Sequence, residues 1–272
     1  MRWSFQNYIM FKSSRKKLIA IGCSYTHHNL RSFRSPNLDF DFPRWPQHLA
    51  DMLDMECVNL GNSGQGNEYM LAKVLDVIDE KNIGLVVIMW SEWPRLDFET
   101  GEGYLGWNTF HPHRANSLGK FPINIEAKQN ISKYLNFKAK SMKSLRTFFL
   151  AQELLKNVQY LMIQGTEEFA EDVSFGKLAD GSFKTFKAGP ADHEIGIKEF
   201  ISHPLFKKID ENKFIGWPIF KRIGGYNIDS LLDKLDPSGK IYRMSMEDTH
   251  PNKKGHQYIG EMLFNEYKNI YL

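Results

Sequence analysis

The sequence has little cysteine, no long apolar run and a small net charge, and each shortage closes off a class of protein. Two cysteines among 272 residues, Cys23 and Cys57, are too few for a disulfide framework. Both lie in or at the end of apolar runs, which reads as reduced, buried thiols. No stretch approaches the roughly 18 consecutive apolar residues of a membrane span. The opening segment MRWSFQNYIMFKSSRKK has neither an uninterrupted apolar core nor a small-residue cleavage site. The expectation is a cytoplasmic protein with no membrane partner. The net charge of +3, from 35 Lys and Arg against 32 Asp and Glu, is far below what neutralising many phosphates requires, so nucleic acid is not an expected partner either. Internal repeats and low-complexity tracts are absent too. What is present, 42% hydrophobic and 25% charged residues, suits a globular chain long enough to bury a sizeable core.

Five short β-rich runs recur: KLIAIG at 17–22, ECVNLG at 56–61, GLVVIMW at 84–90, VQYLMIQG at 158–165 and KIYRMS at 240–245. Most do not alternate polar with apolar, so both faces of the sheet should be covered. Helical stripes lie between them: Trp45, Leu49, Met52 and Leu53; Met70, Leu71, Val74, Leu75 and Ile78; Phe148, Phe149, Leu154 and Leu155; and Ile259, Met262, Leu263 and Tyr267. Strands alternating with helices predict one α/β/α domain over 1–272, with a parallel sheet built by right-handed crossovers. Two long intervals, about 95–140 and 166–235, exceed the minimal repeat and read as insertions that carry function or form a small cap.

Ligands of such sheets bind beyond the carboxyl ends of the strands, so the residues after each run belong together. The first run is followed by Ser24, the second by NLGNSGQGN with Gly64 and Asn67, the third by SEWPR with Ser91, Glu92 and Arg95, and the last by MEDTHPNKKGH with Glu247, Asp248 and His250. A hydroxyl, a glycine-rich turn and an acid beside a histidine converge on one edge. A serine hydroxyl is a weak nucleophile until an imidazole accepts its proton, and the imidazole works best when a carboxylate fixes its tautomer. Ser24 and His250 can form that pair. The turn NLGNSGQGN lacks the Lys-Ser/Thr ending of a phosphate-binding loop and the spacing of a dinucleotide-binding one.

The segments IGCSYT, NLGNSGQGN and EDTHPNKKGH resemble, in order and approximate position, the first, second and fifth motifs of the SGNH/GDSL hydrolase family. The resemblance covers about a tenth of the chain. It implies a flavodoxin-like three-layer α/β/α fold with five parallel strands in order 2-1-3-4-5, and an ester hydrolase, often acting on acetyl groups of sugars, without metal or organic cofactor. It also implies Ser24 as nucleophile, His250 as general base, and the amides of Ser24 and Gly64 in the oxyanion hole. Glu247, three residues before the histidine, stands where the family has its aspartate; Asp248 competes for the same role.

The chain departs from the family in two places. Cys23 stands at the aspartate position of the first motif, which is not the nucleophile. In the third motif the family places an asparagine whose amide donates to the oxyanion, and here Glu92 falls at that position. An ionised carboxylate cannot donate, which leaves Ser91, the Trp90 indole or a protonated Glu92 as substitutes. Losing one donor slows acyl transfer by about 10²–10³-fold, so the alternative to an esterase is a weak or inactive glycan- or protein-binding module on the same scaffold.

Arg95 can bind a substrate carboxylate or pair with Glu92, and Asn67 is a further candidate substrate contact. Trp90, Trp93, Tyr104, Trp107 and Phe110 lie near the proposed site in sequence and offer flat faces suited to sugar rings. His27, His28, His111 and His113 lack the accompanying carboxylates or cysteines of a metal site, so no metal is expected. The expected partner is a small-molecule or glycan ester.

Overall fold

The first apolar run forms a strand, β1 (Lys17–Gly22), whose side chains alternate between two buried faces. The computed structural model describes residues 15–32, 37–101, 106–110, 137–168, 176–177, 183–184, 190–245 and 248–272. In chain order β1 is followed by α1 (Trp45–Met52), β2 (Glu56–Asn59), α2 (Asn67–Val77), β3 (Ile83–Trp90), β4 (Leu96–Glu99), β5 (Trp107–Phe110), α3 (Phe137–Leu154) and β6 (Tyr160–Gln164). The two-residue strands β7 (Gly176–Lys177) and β8 (Phe183–Lys184), α4 (Pro190–Ser202), β9 (Phe214–Ile215), α5 (Ile228–Leu235) and α6 (Lys253–Tyr271) complete it.

The main sheet is parallel, in the order β2-β1-β3-β6-β9. Leu18 and Ala20 of β1, Leu85 and Val87 of β3, and Leu161 and Ile163 of β6 pack against Trp45 and Leu49 of α1, Ile228 of α5, and Ile259 and Leu263 of α6. The residues between them, including Ile19, Ile21, Val86, Ile88 and Met162, face Met70 and Val74 of α2 and Leu145 and Phe148 of α3. With helices on both faces, nearly all residues of the central strands β1, β3 and β6 are buried, and those runs lose their alternation. The result is a three-layer α/β/α sandwich of the flavodoxin-like type, with its switch point between β1 and β3. Among the described residues, no helix is long and apolar enough to cross a membrane.

The fifth strand is not where the sequence suggested. Lys240–Ser245 runs beside the loop after it: Met244 N–H donates to the His250 carbonyl at 2.9 Å, and Asn252 N–H to that of Tyr242 at 3.0 Å. Those bonds satisfy its backbone without the sheet, and Arg243 within the run is buried in a polar cluster. The edge position goes instead to β9, whose two residues pair with Met162 and Ile163. The interval 166–235 thus contributes β9, α4 and α5. The stripe proposed for α2 packs on the core through Met70, Val74, Leu71 and Ile78, but Leu75 is exposed and Tyr69 and Val77 are buried in addition. The histidines His111 and His113, Tyr104 and Glu247 lie outside the described residues.

Candidate active site

Ser24 sits on the turn that leaves β1, in which the amides of Thr26 and His27 both donate to the Cys23 carbonyl at 3.0 Å. The turn folds back so tightly that a Cβ on Gly22 would lie 2.1 Å from Thr26 Oγ1. That contact explains why the apolar run stops at a glycine. Alternation sends Cys23 into the apolar layer under α2 and α3 and Tyr25 into the opposite layer, leaving Ser24 between them. The Cys23 sulfur lies 4.0 Å from the serine oxygen.

His250 closes on this turn from the other end of the chain. Its Nε2 is 3.0 Å from Ser24 Oγ, and its Nδ1 is 2.6 Å from Asp248 Oδ1. An ionised carboxylate only accepts, so Nδ1 carries the proton and Nε2 is free to accept that of the serine. Ser24 is 8% exposed, Asp248 is fully buried and the histidine side chain is 25% exposed, a graded opening from carboxylate to solvent. Of the two acids weighed from sequence, the geometry places Asp248 on the imidazole. The loop is braced by Ser245, whose hydroxyl accepts the Asp248 N–H at 3.0 Å and whose own N–H donates to the Asp248 carbonyl at 3.1 Å. Asn252 caps α6 through Gly255 N–H at 3.0 Å and fixes the loop's exit.

The glycine-rich turn after β2 comes up beside Ser24. Asn62 N–H donates to the Gly22 carbonyl at 3.0 Å, Asn59 Nδ2 to the Thr26 carbonyl at 2.7 Å, and His27 Nδ1 meets Ser63 Oγ at 2.9 Å. Burial pushes the His27 imidazole below its ordinary pKa, with His28 and Arg44 adding to the shift. Gly64 holds φ at +81°, a conformation that favours glycine, and a Cβ there would meet nothing within 4 Å. Among the described residues, neither the Ser24 nor the Gly64 amide has an acceptor.

The third-motif candidates behave differently from expectation. Ser91 is fully buried; its amide donates to Asn67 Oδ1 at 2.9 Å, and its carbonyl accepts from Gln164 Nε2 at 2.9 Å and from Asn67 Nδ2 at 3.4 Å. Asn67 is therefore a clamp between α2 and the end of β3, and the Ser91 amide is spent on that clamp, whereas the buried Ser91 hydroxyl has no partner among the described residues. Trp90 faces the apolar layer, its ring 4.9 Å from that of Phe148, so its indole is not presented either. Glu92 grips Arg95 with both oxygens, Oε1 to Nη2 at 3.0 Å and Oε2 to Nε at 3.3 Å. Arg95 Nη1 then donates to the Gln65 carbonyl at 2.7 Å, one residue beyond Gly64. Burial alone would lower the guanidinium pKa, but the charges around it, Glu92 first among them and Asp97 as well, together outweigh burial and the net shift is upward, so the charge persists. The pair braces the turn that carries Gly64.

Asp97 of β4, which the sequence did not single out, caps α2 across space: its carboxylate accepts from Gly66 N–H at 2.8 Å and Tyr69 N–H at 2.9 Å, and from Thr109 Oγ1 at 2.6 Å. Also missed were Tyr25, Asp229 and Arg243, which bond to one another beneath the serine and histidine loops. The arginine inside an otherwise apolar run was the available signal.

No protein-family model matches this sequence, and no curated protein matches it significantly. Similar solved structures include an acetylxylan esterase, Axe2, from Geobacillus stearothermophilus, with 15% identity, 92% of this chain and 93% of that chain covered, and a TM-score of 0.45. A member of the lipolytic protein G-D-S-L family from Veillonella parvula has 12% identity, coverage of 94% and 98%, and a TM-score of 0.41. The psychrotrophic esterase EstA from a Pseudoalteromonas species has 13% identity, coverage of 93% and 97%, and a TM-score of 0.39.

Proposed function

We propose that this protein is a divergent SGNH-type serine esterase that cleaves carboxylic esters through an acyl-enzyme. The observation that carries this reading is the unbroken chain from Ser24 through His250 to Asp248, at 3.0 and 2.6 Å, at the carboxyl edge of the sheet. In this mechanism Ser24 Oγ attacks the ester carbonyl carbon while His250 Nε2 takes its proton. The amides of Ser24 and Gly64 receive the developing oxyanion, each such donor being worth about 2.7–4 kcal/mol. Collapse breaks the bond to the alcohol, which leaves with the proton returned by His250. Water, activated by the same imidazole, then releases the acid and restores Ser24. Asp248 keeps the imidazole oriented and stabilises its charged form.

The finer reading is an O-acetyl ester on a carbohydrate. The aromatics that suggested a sugar give it little support: Trp90, Trp93 and Phe110 are core residues, and Trp107 is half-buried with its ring edge-on to Tyr69. A second reading, a binding-only descendant, is favoured by one observation, namely that the Ser91 amide at the end of β3 is engaged by Asn67 and so does not donate to an oxyanion. Hydrolysis of 4-nitrophenyl acetate and of an O-acetylated xylooligosaccharide separates the cases. Ser24→Ala and His250→Ala should each abolish turnover, with the double variant hardly worse than either, because the two act as one unit. Full activity in both single variants would place the chemistry elsewhere.

A further inference from the structure

The two loops that carry Ser24 and His250 are more than 220 residues apart in sequence, yet both are tied to one buried arginine. Arg243 is 3% exposed. Its Nη1 donates to the Thr249 carbonyl at 2.6 Å, to Asp229 Oδ1 at 2.7 Å and to Tyr25 Oη at 3.2 Å. Its Nη2 donates to the Asp229 carbonyl at 2.9 Å and to Asp233 Oδ1 at 2.7 Å. Thr249 lies between Asp248 and His250; Tyr25 immediately follows Ser24. The Tyr25 hydroxyl donates to Asp229, and its ring meets the His250 imidazole edge-on with centroids 5.4 Å apart. Asp229 extends the junction to the end of β6, since its Oδ2 accepts the Glu167 N–H at 3.2 Å and its own N–H donates to the Gly165 carbonyl at 3.2 Å.

We infer that Arg243, with Tyr25 and Asp229, is a positioning device that sets the distance between the Ser24 hydroxyl and the His250 imidazole. This rests on the esterase reading. A rigid guanidinium fork is suited to the task because it holds several acceptors at fixed angles, which a lysine ammonium does not. None of the three residues touches the reacting atoms; they act through the Thr249 carbonyl and through the turn at Tyr25. Burial opposes the charge on Arg243, but its partners, the Asp229 and Asp233 carboxylates among them, more than offset it and the net pKa shift is upward, so the fork keeps its donors. A displacement of about 1 Å in a reacting group can cost about 10²-fold in rate, so loosening this junction should act on the chemical step.

The test is the rate of phosphonylation by a fluorophosphonate in the full chain, split into its maximal rate and its half-saturating concentration, for wild type, Tyr25→Phe and Arg243→Lys. Tyr25→Phe keeps the ring against His250 and removes only the hydroxyl. The expected result is a maximal rate lower by about 10-fold in Tyr25→Phe and by about 10- to 100-fold in Arg243→Lys. The half-saturating concentration should stay within about twofold. A purely structural role would lower the melting temperature and the amount of protein that labels, while the folded fraction reacted at the wild-type maximal rate. That outcome in Tyr25→Phe overturns the inference even if Arg243→Lys fails to fold. Wild type that does not label at Ser24 overturns the esterase reading and this inference with it; labelled wild type with unslowed variants overturns the inference alone.

Discussion

Glu92 falls where the sequence resemblance to SGNH/GDSL hydrolases would place an oxyanion asparagine, and Glu92→Asn tests what the glutamate does there. The Arg95 and Glu92 side chains are only 5% and 12% exposed and pair at 3.0 Å. Asparagine is one methylene shorter and neutral, so it can neither reach both guanidinium nitrogens nor balance their charge. Removing one partner of a buried pair costs about 3–5 kcal/mol. Because Glu92 keeps slight access to water and Arg95 keeps the Gln65 carbonyl, the lower end, about 3 kcal/mol, is expected. At roughly 2–4 °C per kcal/mol for a chain of this size, the melting temperature should fall by about 6–12 °C. Acylation should slow as well, since Arg95 fixes the carbonyl next to the Gly64 turn. The assay is a thermal melt alongside pre-steady-state acylation with 4-nitrophenyl acetate. A variant as stable as wild type and up to about 10²-fold faster would refute the reasoning, because a restored amide donor would then matter more than the ion pair.

Three further outcomes follow from the same geometry. Asp248→Asn should lower kcat by about 10³–10⁴-fold by removing the acceptor that fixes the imidazole tautomer, whereas Glu247→Gln should stay near wild type; the reverse ranking in steady-state kinetics would reassign the acid. Tyr69 N–H and Gly66 N–H both depend on Asp97, so Asp97→Ala should destabilise the protein by about 1–2 kcal/mol in urea unfolding; an unchanged midpoint would show the cap to be dispensable. Glu168 is 8% exposed, and burial, outweighing its hydrogen bond from Asn227, pushes its carboxyl from 4.5 up to about 8. Between those values the folded state holds a proton the unfolded chain has lost, so stability falls as pH rises through that window and levels off above it. Glu168→Gln keeps the acceptor for Asn227 and should flatten the melting temperature between about pH 5 and 8; an unaltered slope would assign the dependence to another group.

The layered fold was legible because β1, β3 and β6 are buried on both faces, and continuous apolar runs of five to eight residues have few other uses. β9 was not legible, because two residues between Lys213 and Gly216 carry no period. The run at 240–245 looked like a strand because its bonds to the Pro251 segment and the burial of Arg243 are tertiary facts that local composition does not record. At the site, Ser24, Gly64 and His250 stood out because chemistry restricts which residue types serve there. Asp248 and Glu247 could not be separated, since one residue of loop geometry decides which carboxyl meets Nδ1. That Asn67 engages the Ser91 backbone was likewise not legible, because the bond joins the start of α2 to the end of β3, which are distant in sequence. Arg95 had two plausible partners in sequence, and burial beside Glu92 selected one.

The most direct test of the central claim is reaction of the wild-type chain with a fluorophosphonate, followed by mass-spectrometric mapping of the adduct and repetition in His250→Ala. A serine held 3.0 Å from an imidazole backed by a buried carboxylate should be phosphonylated stoichiometrically at Ser24, and the adduct should form at least about 10³-fold more slowly without His250. A folded protein that takes up no label, or takes it up at a residue other than Ser24, would contradict the esterase assignment.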